Sequence, residues 1–100
     1  MAFTIEAIAE GRFALRGGLD FASAEHAYAA GLGALERAAS ASCVFDCAAL
    51  ANADSAGLAV LLDWQRLAMG RGVTLSYEKI PDSIVRLARI SAVEPLLASA

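Results

Sequence analysis

The chain has 100 residues, 58% of them hydrophobic and 19% charged, and a net charge of −3. That length predicts one domain over residues 1–100, and that composition excludes a disordered chain. The eight Lys and Arg are scattered, and no apolar run approaches the ~20 residues needed to span a bilayer, so neither nucleic acid nor insertion into a membrane is expected.

Met1-Ala2-Phe3-Thr4-Ile5-Glu6 has no basic segment ahead of an apolar one, so it does not read as a secretory signal, and a cytoplasmic location is expected. Residues 3–10 and 12–16 each alternate apolar with polar side chains, with Glu10-Gly11 between them, which predicts an opening β-hairpin. Gly17-Gly18 is expected to end the second strand. From Phe21 the period lengthens: Ala24, Ala27, Tyr28, Gly31, Leu32 and Leu35 recur at three- and four-residue steps behind Ser23 as N-cap. Gly31 and Gly33 weaken such a helix by roughly 1 kcal/mol each relative to Ala, a cost understandable if its backbone packs closely on a sheet.

Residues 42–46, with Cys43-Val44-Phe45 at the centre, suit a strand buried on both faces. Cys43 and Cys47 lie too far apart along an extended strand to be bridged, and His26 is the only histidine, so a four-ligand zinc site is hard to assemble. Both cysteines read as reduced, buried thiols. A loop rich in Ala and Asn over 47–54 precedes a long helix over 55–71, closed by Gly72. Residues 73–77 alternate again as a strand. Pro81 opens another helix with Ile84, Leu87 and Ala88 on its inner face, and a short turn covers 93–97. The order β-β-α-β-α-β-α predicts an α/β fold: a mixed four-stranded sheet with helices packed mainly on one face.

The informative segment is Leu50-Ala51-Asn52-Ala53-Asp54-Ser55-Ala56-Gly57-Leu58. Asp54 or Ser55 can accept the free N–H groups of the first helical turn, worth about 1 kcal/mol as a cap. A hydroxyl at the same place is exposed at the positive end of the helix dipole, where a phosphate is favoured or a partner's polar loop docks. Spacing alone does not choose between these roles. Along the helix, Leu58, Leu61, Leu62, Ala68 and Met69 form the natural core sector, and Val60, Trp64 and Leu67 form a neighbouring one. Together they are about twice as wide as the ~100° stripe that one-sided burial requires. Either the sheet and the last helix cover both sectors, or Val60, Trp64 and Leu67 are partly exposed and meet another protein, with Trp64 as anchor; the width favours the second.

Catalytic constellations are thin. A Ser55–His26 pair completed by Asp46 or Asp54 would need His26 to turn inward from the first turn of a helix whose outer face is wet. Gly17-Gly18 lacks the lysine and spacing of a phosphate loop. No enzyme is expected, and no catalytic, cofactor-binding or metal-binding residue is assigned.

The element order, with Asp54-Ser55-Ala56-Gly57-Leu58 opening the helix, resembles the STAS family (sulfate transporter and anti-sigma factor antagonist). Gly18-Leu19-Asp20-Phe21, Val44-Phe45-Asp46, Leu61-Leu62-Asp63-Trp64 and the stretch from Ile84 to Ile90 carry the likeness along nearly the whole chain. Two branches are implied. In anti-sigma factor antagonists, the serine matching Ser55 is phosphorylated by a partner kinase, the anti-sigma factor, and this releases the partner. The small STAS subunit of the Mla-type ABC transporter, which moves phospholipid between the membranes of Gram-negative bacteria, is the closer likeness. That subunit docks on the cytoplasmic ATPase, which places the chain at the membrane through the complex. Ala56 and Ala59 stand where antagonists commonly carry serine and glycine, and Leu-Leu-Asp-Trp is similar to the transporter subunits. The resemblance thus implies a non-enzymatic regulatory subunit. Its contact would use Asp54, Ser55, Ala56 and Gly57 as the polar centre and Val60, Trp64 and Leu67 as apolar area. The alternative is an antagonist switched by phosphorylation of Ser55.

Overall fold

The computed structural model describes residues 2–38 and 41–97. Strands β1 (Thr4–Ala9) and β2 (Arg12–Leu19) form the expected hairpin. Helix α1 (Ala24–Arg37), strand β3 (Ser42–Ala53), helix α2 (Ser55–Gly70), strand β4 (Thr74–Glu78), helix α3 (Asp82–Ile90) and a 3₁₀ turn (Glu94–Leu96) follow. The sheet order is β1-β2-β3-β4, antiparallel between β1 and β2 and parallel across the other two junctions. The two parallel junctions are crossovers through α1 and α2, and crossovers of one hand bring both helices to the same face. The expected mixed sheet with one helical face is the fold observed.

Register explains how the core is built. Phe13 pairs with Phe45, and Phe45 with Tyr77, so three aromatic side chains form one row across β2, β3 and β4. Ring centroids along the row are 5.7 and 6.2 Å apart. Trp64 of α2 stands edge-on over Phe45 at 5.3 Å. One step along each strand, Ala14, Asp46 and Glu78 pair on the opposite face, which carries no helix among the described residues. There Arg12 reaches across β3 to Glu78 with two hydrogen bonds, at 2.5 and 3.3 Å.

Four expectations about element ends and glycines are corrected. Gly17-Gly18 does not stop β2, which runs to Leu19, and β3 does not stop at Asp46 but runs to Ala53. The segment over 47–53 has weak strand propensity by composition, yet Gly17, Gly18 and Leu19 pair with Leu50, Asn52 and Ala53 and satisfy its backbone. Ser23 precedes α1 but makes no side-chain cap. Its hydroxyl instead donates to the Gly18 carbonyl at 2.8 Å and accepts from the Asp20 N–H at 3.0 Å. Gly31 does permit close packing, but against α2: a Cβ there would lie 2.1 Å from the Trp64 ring. Gly33 has no comparable neighbour. In addition, β3 is buried on one face only, since Val44 and Asp46 on the other are half-buried.

Pro81 is the residue before α3 rather than its first, and Ile84 and Ala88 face the core with Leu87 half-buried. Gly72, at φ 71°, follows the Arg71 C-cap of α2 as expected. Cys43 and Cys47 are free and buried on the helical side of β3. No helix among the described residues is long and apolar enough to cross a membrane.

Candidate partner-docking site

The β3–α2 turn has a division of labour within four residues. Asp54, in extended backbone geometry, is the N-cap of α2: its Oδ1 accepts from the Ala56 N–H at 2.9 Å and the Gly57 N–H at 3.1 Å. Its Oδ2 accepts from the Phe21 N–H at 3.2 Å, tying the β2–α1 loop to the same carboxylate. Gly57 is buried, and a Cβ at that position would lie 2.1 Å from the Leu19 carbonyl oxygen. Only glycine lets the first turn of α2 rest on the end of β2. Asp54 and Gly57 are therefore committed to structure, and Ala56 between them in sequence is half-buried.

Ser55 is left over. It is the first helical residue, it is exposed, and its hydroxyl has no protein partner among the described residues. Asp54 rather than Ser55 supplies the cap that the sequence could not assign. With the Ala56 and Gly57 amides already capped by Asp54, it is the dipole of the helix start that makes this end of α2 favourable for an acceptor or an anionic group.

The apolar part of the predicted contact is corrected at Val60 and Trp64, which are buried; Leu67 is partly exposed as expected. Trp64 is 0% exposed and Val60 5%, while Leu67 is half-buried against the core. Trp64 donates its Nε1–H to the Tyr28 carbonyl of α1 at 3.2 Å, and its ring also meets Phe3 at 6.1 Å. The reason is that α2 packs between the sheet and α1, so a stripe of double width is buried: Gly57, Leu58, Val60, Leu61, Trp64 and Ala68. Met69, expected in the core, is 77% exposed.

What α2 shows to solvent is a different line. Exposed Ser55, Ala59, Arg66 and Met69, with half-buried Leu62 between them, recur at alternating steps of four and three, which places them along one face. With Leu96 from the 3₁₀ turn, the lower part of this face forms a mainly apolar groove of about 480 Å³, with Asp63 and Arg66 ion-paired on its wall. At the other end, beyond Ser55, stands Phe21, 84% exposed. Sequence reasoning missed both Phe21 and the groove. The heptad-like spacing starting at Ser55 was the available signal for the groove.

Among the described residues none donates to or accepts from the Ser55 hydroxyl as a general base would. Both carboxylate oxygens of Asp54 accept backbone N–H groups, and the His26 ring contacts Phe3 at 6.4 Å. Among the described residues no cluster of His, Cys, Asp and Glu is placed to hold a metal ion.

A family model described as "Mlab, STAS domain" matches residues 5–98. The chain belongs to the STAS family. Known structures of STAS proteins share its fold. The anti-sigma factor antagonist SpoIIAA in its unphosphorylated form is similar with a TM-score of 0.72 at 20% identity, over 99% of this chain and 88% of that one. A putative anti-sigma factor antagonist from Thermotoga maritima gives 0.76 at 12% identity, over 97% and 84%. The anion transporter SLC26A9 gives 0.67 at 12% identity, and there the match covers 85% of this chain but 16% of the transporter. At these identities the likeness is one of fold. No curated protein sequence matches the chain.

Proposed function

We propose that this STAS chain is a non-enzymatic docking subunit for the cytoplasmic ATPase of a phospholipid-trafficking ABC transporter, contributing to outer-membrane lipid asymmetry. The observation that carries the reading is the Ser55 hydroxyl: exposed, at a helix start, and relieved of the capping role by Asp54. A side chain with no structural task, held by a turn anchored through Asp54 and Gly57, is suited to recognition. The description of the matching family model supports the transporter branch. The contact is centred on Ser55 and continues along Ala59, Leu62, Arg66 and Met69, replacing the Val60–Trp64–Leu67 face, which lies in the core or at its edge. The chain reaches the membrane through this complex.

A second reading, the antagonist switched by an anti-sigma factor kinase, is favoured by the same hydroxyl. A phosphoryl group there adds nearly two negative charges at the positive end of α2 without disturbing a hydrogen bond of Ser55. The test is co-expression with the transporter ATPase, followed by size-exclusion chromatography and mass spectrometry of the Ser55 peptide. Co-elution in fixed ratio with Ser55 unmodified is the expected result. Separate elution, with Ser55 phosphorylated in the native organism, would select the antagonist.

A further inference from the structure

Resting on that docking reading, we infer that Phe21 is a second anchor of the same interface, inserting into an apolar pocket of the partner beside the group that reads Ser55. Three observations lead to it. The ring is 84% exposed, although aromatic side chains are normally drawn into cores or interfaces. The backbone beneath it is nonetheless fixed. The Phe21 N–H is bonded to Asp54, and the Asp20–Ser23 turn around it is closed by the Asp20 N–H donating to Ser23 Oγ at 3.0 Å and the Ser23 N–H donating to Asp20 Oδ1 at 3.1 Å. An aromatic group on a preorganised loop loses little conformational freedom on binding.

The third observation is position. The β2–α1 and β3–α2 turns leave the C-terminal ends of neighbouring parallel strands, and one carboxylate, Asp54, holds both. Phe21 and Ser55 therefore have a fixed spatial relation. The other exposed large apolar side chains lie elsewhere: Ile8 near the end of β1, Ile90 and Met69 at the far ends of α3 and α2, and Leu96 beside the groove. A few anchor side chains near the centre of a contact, often aromatic, carry most of its binding energy.

The test measures the affinity of the purified chain for the immobilised ATPase subunit of the phospholipid ABC transporter from the same organism. Phe21→Ala should weaken binding about 10- to 30-fold with an unchanged melting temperature. Phe21→Tyr should bind nearly as well as the parent, and Ile90→Ala should bind unchanged. If Phe21→Ala binds within about twofold of the parent while Ser55→Ala is weakened, the inference fails and the docking reading stands. Equal losses from Phe21→Ala and Ile90→Ala would also overturn it. If the parent chain does not bind the ATPase at all, the docking reading falls and the role of Phe21 falls with it.

Discussion

Asp54 and Ser55 are neighbours with opposite obligations, and stability measurements can separate them. Asp54 accepts three backbone N–H groups from two turns, so Asp54→Ala removes a cap and unlatches the Phe21 loop. It should cost about 1–2 kcal/mol in urea unfolding. Ser55→Ala removes a hydroxyl that no described residue contacts, and it should change stability by less than about 0.5 kcal/mol. Equal costs for the two variants would mean that Ser55 shares the cap. The sequence narrowed the cap to these two residues and no further, because either side chain can accept N–H groups from the first turn. Only the extended backbone at Asp54 decides it.

At the scale of elements, α2 is the centre of the molecule, buried by the sheet below and by α1 beside it. Gly31 exists for that second contact. Gly31→Ala would drive a methyl into the Trp64 indole, backed by Phe45 and Phe3, and should destabilise by about 1–3 kcal/mol as overpacking. Gly33→Ala, whose Cβ would meet only the flexible end of Arg37, should instead stabilise α1 by about 0.5–1 kcal/mol. Paired unfolding curves give both signs in one experiment, and destabilisation by both would contradict the packing described. The element order, the hairpin and the length of α2 were legible because periodicity and the flanking Gly and Pro mark them. The orientation of α2 was not. Its apolar residues cover so much of the circumference that Trp64 on a face of its own and Trp64 in the middle of a double-width stripe look alike. Only the second helix beside α2, which a wheel does not contain, separates the two. The tail of β3 was illegible for a similar reason: Ala and Asn were paired into the sheet by glycines more than thirty residues earlier.

At the scale of the whole molecule, the two faces of the sheet respond to pH at opposite ends. On the open face, hydrogen bonding and charge from Arg12 hold the Glu78 carboxyl below the usual carboxylate range. That contribution is present above the unfolded pKa and is lost as pH falls through the folded one. On the helical face, burial pushes the Cys43 thiol up to about 11 and the Cys47 thiol up to about 12, and it raises the Tyr77 phenol as well. The folded state keeps these groups neutral while the unfolded chain ionises its thiols from about pH 9. Stability is therefore full below pH ~9 and should fall as pH rises toward 11–12. The urea midpoint should drop between about pH 9 and 11, and a Cys43→Ala, Cys47→Ala variant should start lower but fall less over that range. A slope unchanged by the double substitution would show that the thiols do not carry the alkaline limb.

The central claim is that the exposed end of α2, with Ser55 at its tip, docks on a transporter ATPase. The most direct test is titration calorimetry of the purified chain into that ATPase subunit, with Ser55→Ala run alongside and both melting curves recorded. The account predicts saturable one-to-one binding by the parent chain. The Ser55→Ala chain should bind at least ~10-fold more weakly, with its melting temperature unchanged within about 2 °C. Full affinity in the Ser55→Ala chain, or no binding by the parent, would contradict it.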